Sequence, residues 1–247
     1  MYNLNSGFGQ VIGQLPFLGS GKHFIVGDSS TANLDILKQL FGYDPDGTLR
    51  YFDDIDAAIG ECTANAGDTI LVMPGHSETV SAASGITADV AGVSIIGLGV
   101  GSDVPVISFG TATTASMDLT ADNVKIKNIR GLAAIDGLTK PFLVTGDNCE
   151  LDIVWWDASA TVEAATVVRF DTANNGKLDL VYRGYTAGNA AVRVVAIDAC
   201  SNISINIDAY GVVSVAWVNM VDSASSNVSV RGRMYTQGVT NFTRDVV

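Results

Sequence analysis

Basic residues are scarce in this chain: 14 Lys and Arg stand against 26 Asp and Glu, leaving a formal charge of −12 over 247 residues. No run of cations stands out, which removes the usual footprint of phosphate recognition and excludes nucleic acid as an expected partner. Cysteine is rare too. Cys62, Cys149 and Cys200 are odd in number and lack metal-type spacing, which excludes a disulfide framework and a zinc site and leaves small buried thiols. No stretch approaches the ~18 apolar residues of a membrane span. The opening MYNLNSGFGQ has neither the basic nor the apolar region of a secretory signal. The two histidines, His23 and His76, come with no spacing that suggests a nucleophilic triad. A soluble protein is expected, with no cofactor, no metal site and no catalytic residue.

What the chain does have is apolar residues and 26 glycines, with only 16% charged residues, a composition far from that of a disordered protein. It also has a repeated phrase. NVKIKNI from Asn123 is followed by NCELDIV from Asn148, NGKLDLV from Asn175, NISINID from Asn202 and NVSVRGR from Asn227, at spacings of 25, 27, 27 and 25 residues. After each Asn, positions +1, +3 and mostly +5 are apolar while +2 and +4 are polar, the two-residue period of a strand with one buried face. The +3 column reads Ile126, Leu151, Leu178, Ile205 and Val230, an aliphatic ladder when rungs stack ~4.8 Å apart. A second strand-like phrase precedes each Asn (SMDLT, FLVTG, TVVRF, VRVVAI, VAWVNMV), so each rung has at least two strands and a bend. Asparagine suits the bend because it tolerates left-handed backbone angles and its amide can bond to the Asn above and below. A period of this size predicts a solenoid whose repeats bury their apolar faces against one another.

Upstream the pattern changes. Residues 1–25 form an irregular apolar arm carrying Phe8, Val11, Ile12, Leu15, Phe17 and Leu18 among Gly, Gln, Asn and Pro16, without helical or strand period. It either lies along its own domain or docks on another chain. Residues 26–66 read as a helical region: a short helix over 30–41, a turn at 42–47, and a second helix over 55–65. In the second, Ile55, Ala58, Ile59 and Cys62 make one stripe and Asp53 or Asp54 is available as N-cap. GDTILVMPG at 67–75 is a turn, a buried strand and a stop at Pro74 and Gly75. The repeats then occupy the rest of 67–247.

An amphipathic helix followed by GDTILV…PG and then by strands every twenty-odd residues resembles the pectin-lyase-like superfamily of right-handed parallel β-helices. The resemblance covers about residues 52–245. It implies an all-β fold with the helix over 55–65 plugging the N-terminal end of the coil. The stretch from Ile55 to Asn123 is also similar to β-helical proteins that tailed bacteriophages build into the virion.

Two candidate sites accompany the repeat. Asp118, Asp171, Asp198 and Asp222 lie four or five residues before their Asn, with Val144 replacing the second member. Carboxylates stacked ~5 Å apart repel by roughly 0.8 kcal/mol in water and about four times that at an effective dielectric of 20. A wet turn tolerates this, whereas a calcium site or a catalytic cleft would exploit it. Pectate lyases need calcium-binding acids with an arginine base, and polygalacturonases need three aspartates with His and Lys; neither set is visible. GLGVG at 97–101 misplaces the third glycine of a dinucleotide fingerprint. The aromatics Trp155, Trp156, Tyr182, Tyr185, Tyr210, Trp217 and Tyr235 fall in the later half, and Trp156, Tyr210 and Tyr235 would form a surface patch if they face outward together, suited to glycans or to a protein partner. The resemblance and this absence of catalytic groups lead to an expectation of a non-enzymatic virion protein. Its most specific form is a capsid decoration (cement) protein: a homotrimer on the capsid surface, assembled in the host cytoplasm, with the major capsid protein as partner. A tail-fibre or tailspike module binding host glycans and a polysaccharide lyase or hydrolase are the alternatives.

Overall fold

The computed structural model describes residues 21–27, 47, 50–159, 161–184, 191–235 and 243–245. The helix expected over 30–41 and the apolar residues of the arm lie outside them. The described chain is an all-β, right-handed parallel β-solenoid of about seven turns. Its strands are β1 (His23–Val26), β2 (Tyr51–Phe52), β3 (Thr69–Val72), β4 (Ser77–Val80), β5 (Ile86–Ala88), β6 (Ser94–Gly97), β7 (Val106–Phe109), β8 (Met117–Leu119) and β9 (Lys125–Ala133). They continue as β10 (Phe142–Val144), β11 (Glu150–Asp157), β12 (Val168–Asp171), β13 (Lys177–Arg183), β14 (Ala191–Asp198), β15 (Ser204–Tyr210), β16 (Val213–Met220), β17 (Ser229–Tyr235) and β18 (Thr243–Asp245). Every pairing between these strands is parallel. One sheet runs β17-β15-β13-β11-β9-β6-β3-β1-β2, with β4 and β7 attached through β9, and a second runs β18-β16-β14-β12-β10-β8-β5. Residues 23–25, which the sequence reading places in the arm, belong to β1 and pair with β3.

The core is the stack of inward columns. Ile70, Ile95, Ile126, Leu151, Leu178 and Ile205 face one another in successive rungs and are all buried. A second inward column reads Gly131, Trp155, Tyr182 and Ala209, two large side chains flanked by two small residues. A Cβ on Gly131 would lie 2.5 Å from Cε3 of Trp155, so the glycine makes room for the indole. That indole packs against Phe109 and Phe142, at centroid distances of 5.8 and 6.2 Å.

The rungs are not uniform. The first two after residue 68 have three strands each, β3-β4-β5 and β6-β7-β8, and later rungs have two. The change happens in β9: Lys125–Lys127 pair with β6 while Arg130–Ala133 pair with β7. Between them Asn128 takes φ 53° and its amide donates to the carbonyls of Gly97 (2.8 Å) and Gly99 (3.1 Å), the local geometry of a bulge. β11 then runs straight across both halves.

The second predicted helix is shorter than expected. α1 spans Ile55–Gly60, with Asp54 as N-cap accepting from the Ala57 N–H, and it buries Ile55, Ala58 and Ile59 against β1, β2, β3 and β5. It stops before Asn65 because that stretch is already part of a rung: Thr63 N–H donates to Asp68 (2.7 Å) and Asn65 adopts φ 60°. No helix among the described residues is long and apolar enough to cross a membrane.

Candidate functional site

The bend before the first sheet is a polar spine. Asn123, Asn148, Asn175, Asn202 and Asn227 have φ of 60, 58, 55, 59 and 53°, the left-handed region that asparagine tolerates best after glycine. Side-chain amides link the upper four: Asn175 donates to Asn148 (3.2 Å), Asn202 to Asn175 (3.0 Å) and Asn227 to Asn202 (3.1 Å). Backbone N–H groups continue the column downward, from Asn123 to Asp147 O and from Gly92 to Asp122 O, and finally from Asn65 to Ala91 O. Asn65 and Gly92 escape the sequence pattern because Asn65 stands two residues further from its strand and Gly92 has no side chain. A second ladder runs beside the first: the Asp122 carboxylate accepts from the Asp147 N–H (2.8 Å), and that of Asp147 from the Asn174 N–H (2.7 Å).

The four aspartates of the expected acidic column do not form one. Asp118 pairs in register with Leu143, and Leu143 with Arg169, while Asp171 pairs with Asp198. Asp118 is buried and accepts from the Ser84 hydroxyl (2.6 Å). Arg169 bridges the other pair, 3.2 Å from Asp171 and 2.5 Å from Asp198. Asp222 accepts from the Ala199 N–H, which holds its pKa down. The column fails because left-handed Thr172 and Ala199 lengthen the later bends, so counting back from the Asn loses register. Among the described residues no three His, Cys, Asp or Glu side chains gather as a metal site. Cys149 and Cys200 are buried free thiols, and burial pushes that of Cys149 up to about 11. Cys62, partly exposed, is pushed by burial to about 12. None has the lowered pKa of a reactive thiolate.

On the outer face of the first sheet, Trp156, Arg183, Tyr210 and Tyr235 occupy one column in successive rungs. Trp156 is 43% exposed, Tyr210 48% and Tyr235 57%, whereas Trp155, Tyr182 and Trp217 are buried and Tyr185 lies outside the described residues. Beside it runs the column Arg130, Val154, Val181, Asp208 and Arg233. The Arg130 guanidinium sits 4.3 Å from the Trp156 ring centroid, a cation–π contact. Arg183 donates to the Asp208 carbonyl (3.1 Å) and Arg233 to its carboxylate (3.0 Å). Val154, Val181 and Gly184 line a shallow depression between Trp156 and Arg183, with Asp157 at its margin. Lys125, Lys127 and Lys177 with Arg130, Arg183, Arg231 and Arg233 put seven of the 14 basic residues on this face. Four acids accompany them, Glu150, Asp152, Asp179 and Asp208. A strongly acidic protein thus concentrates its cations on one flat surface.

Behind the depression lies a buried polar cluster that the sequence did not reveal. Asp157, 6% exposed, accepts from the Trp155 indole (2.9 Å) and the Tyr182 hydroxyl (2.7 Å). Burial raises its pKa, against the pull of those donors, and burial likewise raises that of Tyr182. Glu163, 4% exposed, leaves Oε2 without a hydrogen-bond partner. Burial, then the nearby Asp157 and Asp136, push its carboxyl up to about 7. Both carboxyls are thus shifted in the same direction, by burial first. Asp157 is committed to the Trp155 and Tyr182 donors that lock the core side chains, so the cluster reads as structural.

No family model, curated protein or solved structure matches this chain. The geometry therefore stands alone: a rigid ladder-bonded rod with one cationic, aromatic face.

Proposed function

We propose that this chain is a non-enzymatic structural protein of a bacteriophage virion, a capsid decoration protein that acts as a homotrimer. The observation that carries the reading is the continuous spine, in which backbone and amide bonds join each rung to the next along the rod. Such a solenoid is a scaffold with repeating side faces rather than a chemistry. The arm residues Phe8, Val11, Ile12, Leu15, Phe17 and Leu18 supply the grip on the major capsid protein, and the rod lies on the shell surface. The test is cosedimentation of the purified protein with undecorated phage heads, with and without residues 1–20, a cut that spares β1. Binding that disappears with the arm is the expected result, and full-length protein that never sediments with heads refutes the capsid partner. The exposed column of Trp156, Arg183, Tyr210 and Tyr235 favours a second reading, a tail-fibre module binding host glycans, which glycan-array binding by the full chain would support.

A further inference from the structure

Two stripes of opposite charge run parallel to the solenoid axis. One is the Arg–aromatic strip of the first sheet, with Arg130, Trp156, Arg183, Tyr210, Arg233 and Tyr235. The other is the bend edge, which carries one aspartate per rung without a shared register: Asp89, Asp122 and Asp147 in the lower rungs, then Asp171 and Asp198, which Arg169 bridges, and Asp222. Asp89 and Asp122 are exposed, and Asp147, Asp171, Asp198 and Asp222 are half-buried. The bend precedes the first-sheet strands and the strip lies at their far ends, about 25 Å away at ~3.3 Å per residue. Both advance by one rung, ~4.8 Å, per step, so two parallel copies of the rod are commensurate.

We propose that copies of this chain pack side by side, the Arg–aromatic strip of one seated against the acidic bend edge of the next. The strip has the composition of an interface centre, since Trp, Tyr and Arg are the residues that dominate protein–protein energetics. Its valine-floored depression between Trp156 and Arg183 accepts a projecting side chain. The remainder of the chain carries more than the whole net charge of −12, so the surface complementary to the strip is present on every copy. A two-fold pairing of strip on strip would leave the acidic edge unused and bring Arg130, Arg183 and Arg233 of two copies together with only Asp208 to offset them. The contact is therefore heterologous, and a heterologous contact that closes makes a ring. The proposal rests on the homotrimeric part of the reading above and not on the capsid partner, which head cosedimentation tests separately.

The test is sedimentation equilibrium of the full chain, with circular dichroism as the folding control. Wild type is expected to associate at low salt and to dissociate toward monomer at high salt, as screened surface charges require. Arg183→Glu weakens association about thirtyfold or more, the threshold effect of a hot-spot residue, and Asp122→Lys weakens it from the other side. Mixing the two variants restores association, because the intact strip of one meets the intact acidic edge of the other and the two altered sites again carry opposite charges. A wild type that stays monomeric overturns the proposal, including a monomer that binds an acidic polysaccharide such as polyglucuronate. So does an oligomer that survives Arg183→Glu. Should Asp122→Lys fail to fold, the wild-type salt response and Arg183→Glu still decide.

Discussion

Replacing Asn202 by alanine removes three things at once. The amide donates to Asn175 at 3.0 Å and accepts from Asn227 at 3.1 Å, and the backbone sits at φ 59°. Both bonds are exposed, so each contributes about 0.5 kcal/mol, the low end of the usual range. A left-handed backbone costs an alanine about 1 kcal/mol or more. The sum is about 2 kcal/mol, which for a chain of this size lowers the thermal midpoint by roughly 4–8 °C. Asn202→Asp separates the contributions: it keeps the tolerance for φ and the acceptor and loses one donor, at about 0.5 kcal/mol. Asn123→Ala falls between, at about 1 kcal/mol, because among the described residues no amide bond joins Asn123 to Asn148. The assay is urea unfolding followed by circular dichroism, with the m-value checked for constancy. An alanine variant within about 0.5 kcal/mol of wild type, or an aspartate variant as unstable as the alanine one, would refute the account of the spine.

Other outcomes are equally specific. Glu163 releases its proton near 7 when folded and near 4.5 when unfolded, so in that window the folded chain holds the extra proton and its stability declines as pH rises. Glu163→Gln should flatten the decline, and parallel pH profiles for variant and wild type would contradict the burial of a neutral carboxyl. Gly131→Ala places a methyl 2.5 Å from Trp155 Cε3 and 3.0 Å from Phe142 Cε2 and should destabilise by about 2 kcal/mol through overpacking. Combining it with Trp155→Leu should recover part of that loss, and strictly additive melting shifts would count against direct contact.

The sequence showed the solenoid because one residue type at the bend does two jobs. Asn175 and Asn202 supply both the left-handed turn and the amide ladder, so their spacing alone sets the register of the first sheet and aligns Trp156, Tyr210 and Tyr235. Register in the second sheet was not readable. It depends on bends such as Thr172 and Ala199, where residues without a left-handed preference adopt one because the rung above fixes them: the Thr172 N–H donates to the Asp198 carbonyl at 2.9 Å. The lower rungs hid for a related reason, since Asn65 and Gly92 fill the same column with different spacing and chemistry. Asp157 and Glu163 meet only because the connection from β11 to β12 folds back on the one below, with Gly137 N–H donating to the Glu163 carbonyl. Nothing in a local window encodes that contact.

The hydrogen bonds between rungs all point along the rod, and this gives the molecule a mechanical direction. A pull from end to end loads the interfaces in series, so the rod is only as strong as its weakest junction, and nearest-neighbour stacking offers no reinforcement. A push along the same axis is met by buried columns already in van der Waals contact, such as Ile126, Leu151, Leu178 and Ile205, and close-packed interiors compress very little. A rod built in this way resists compression far better than tension.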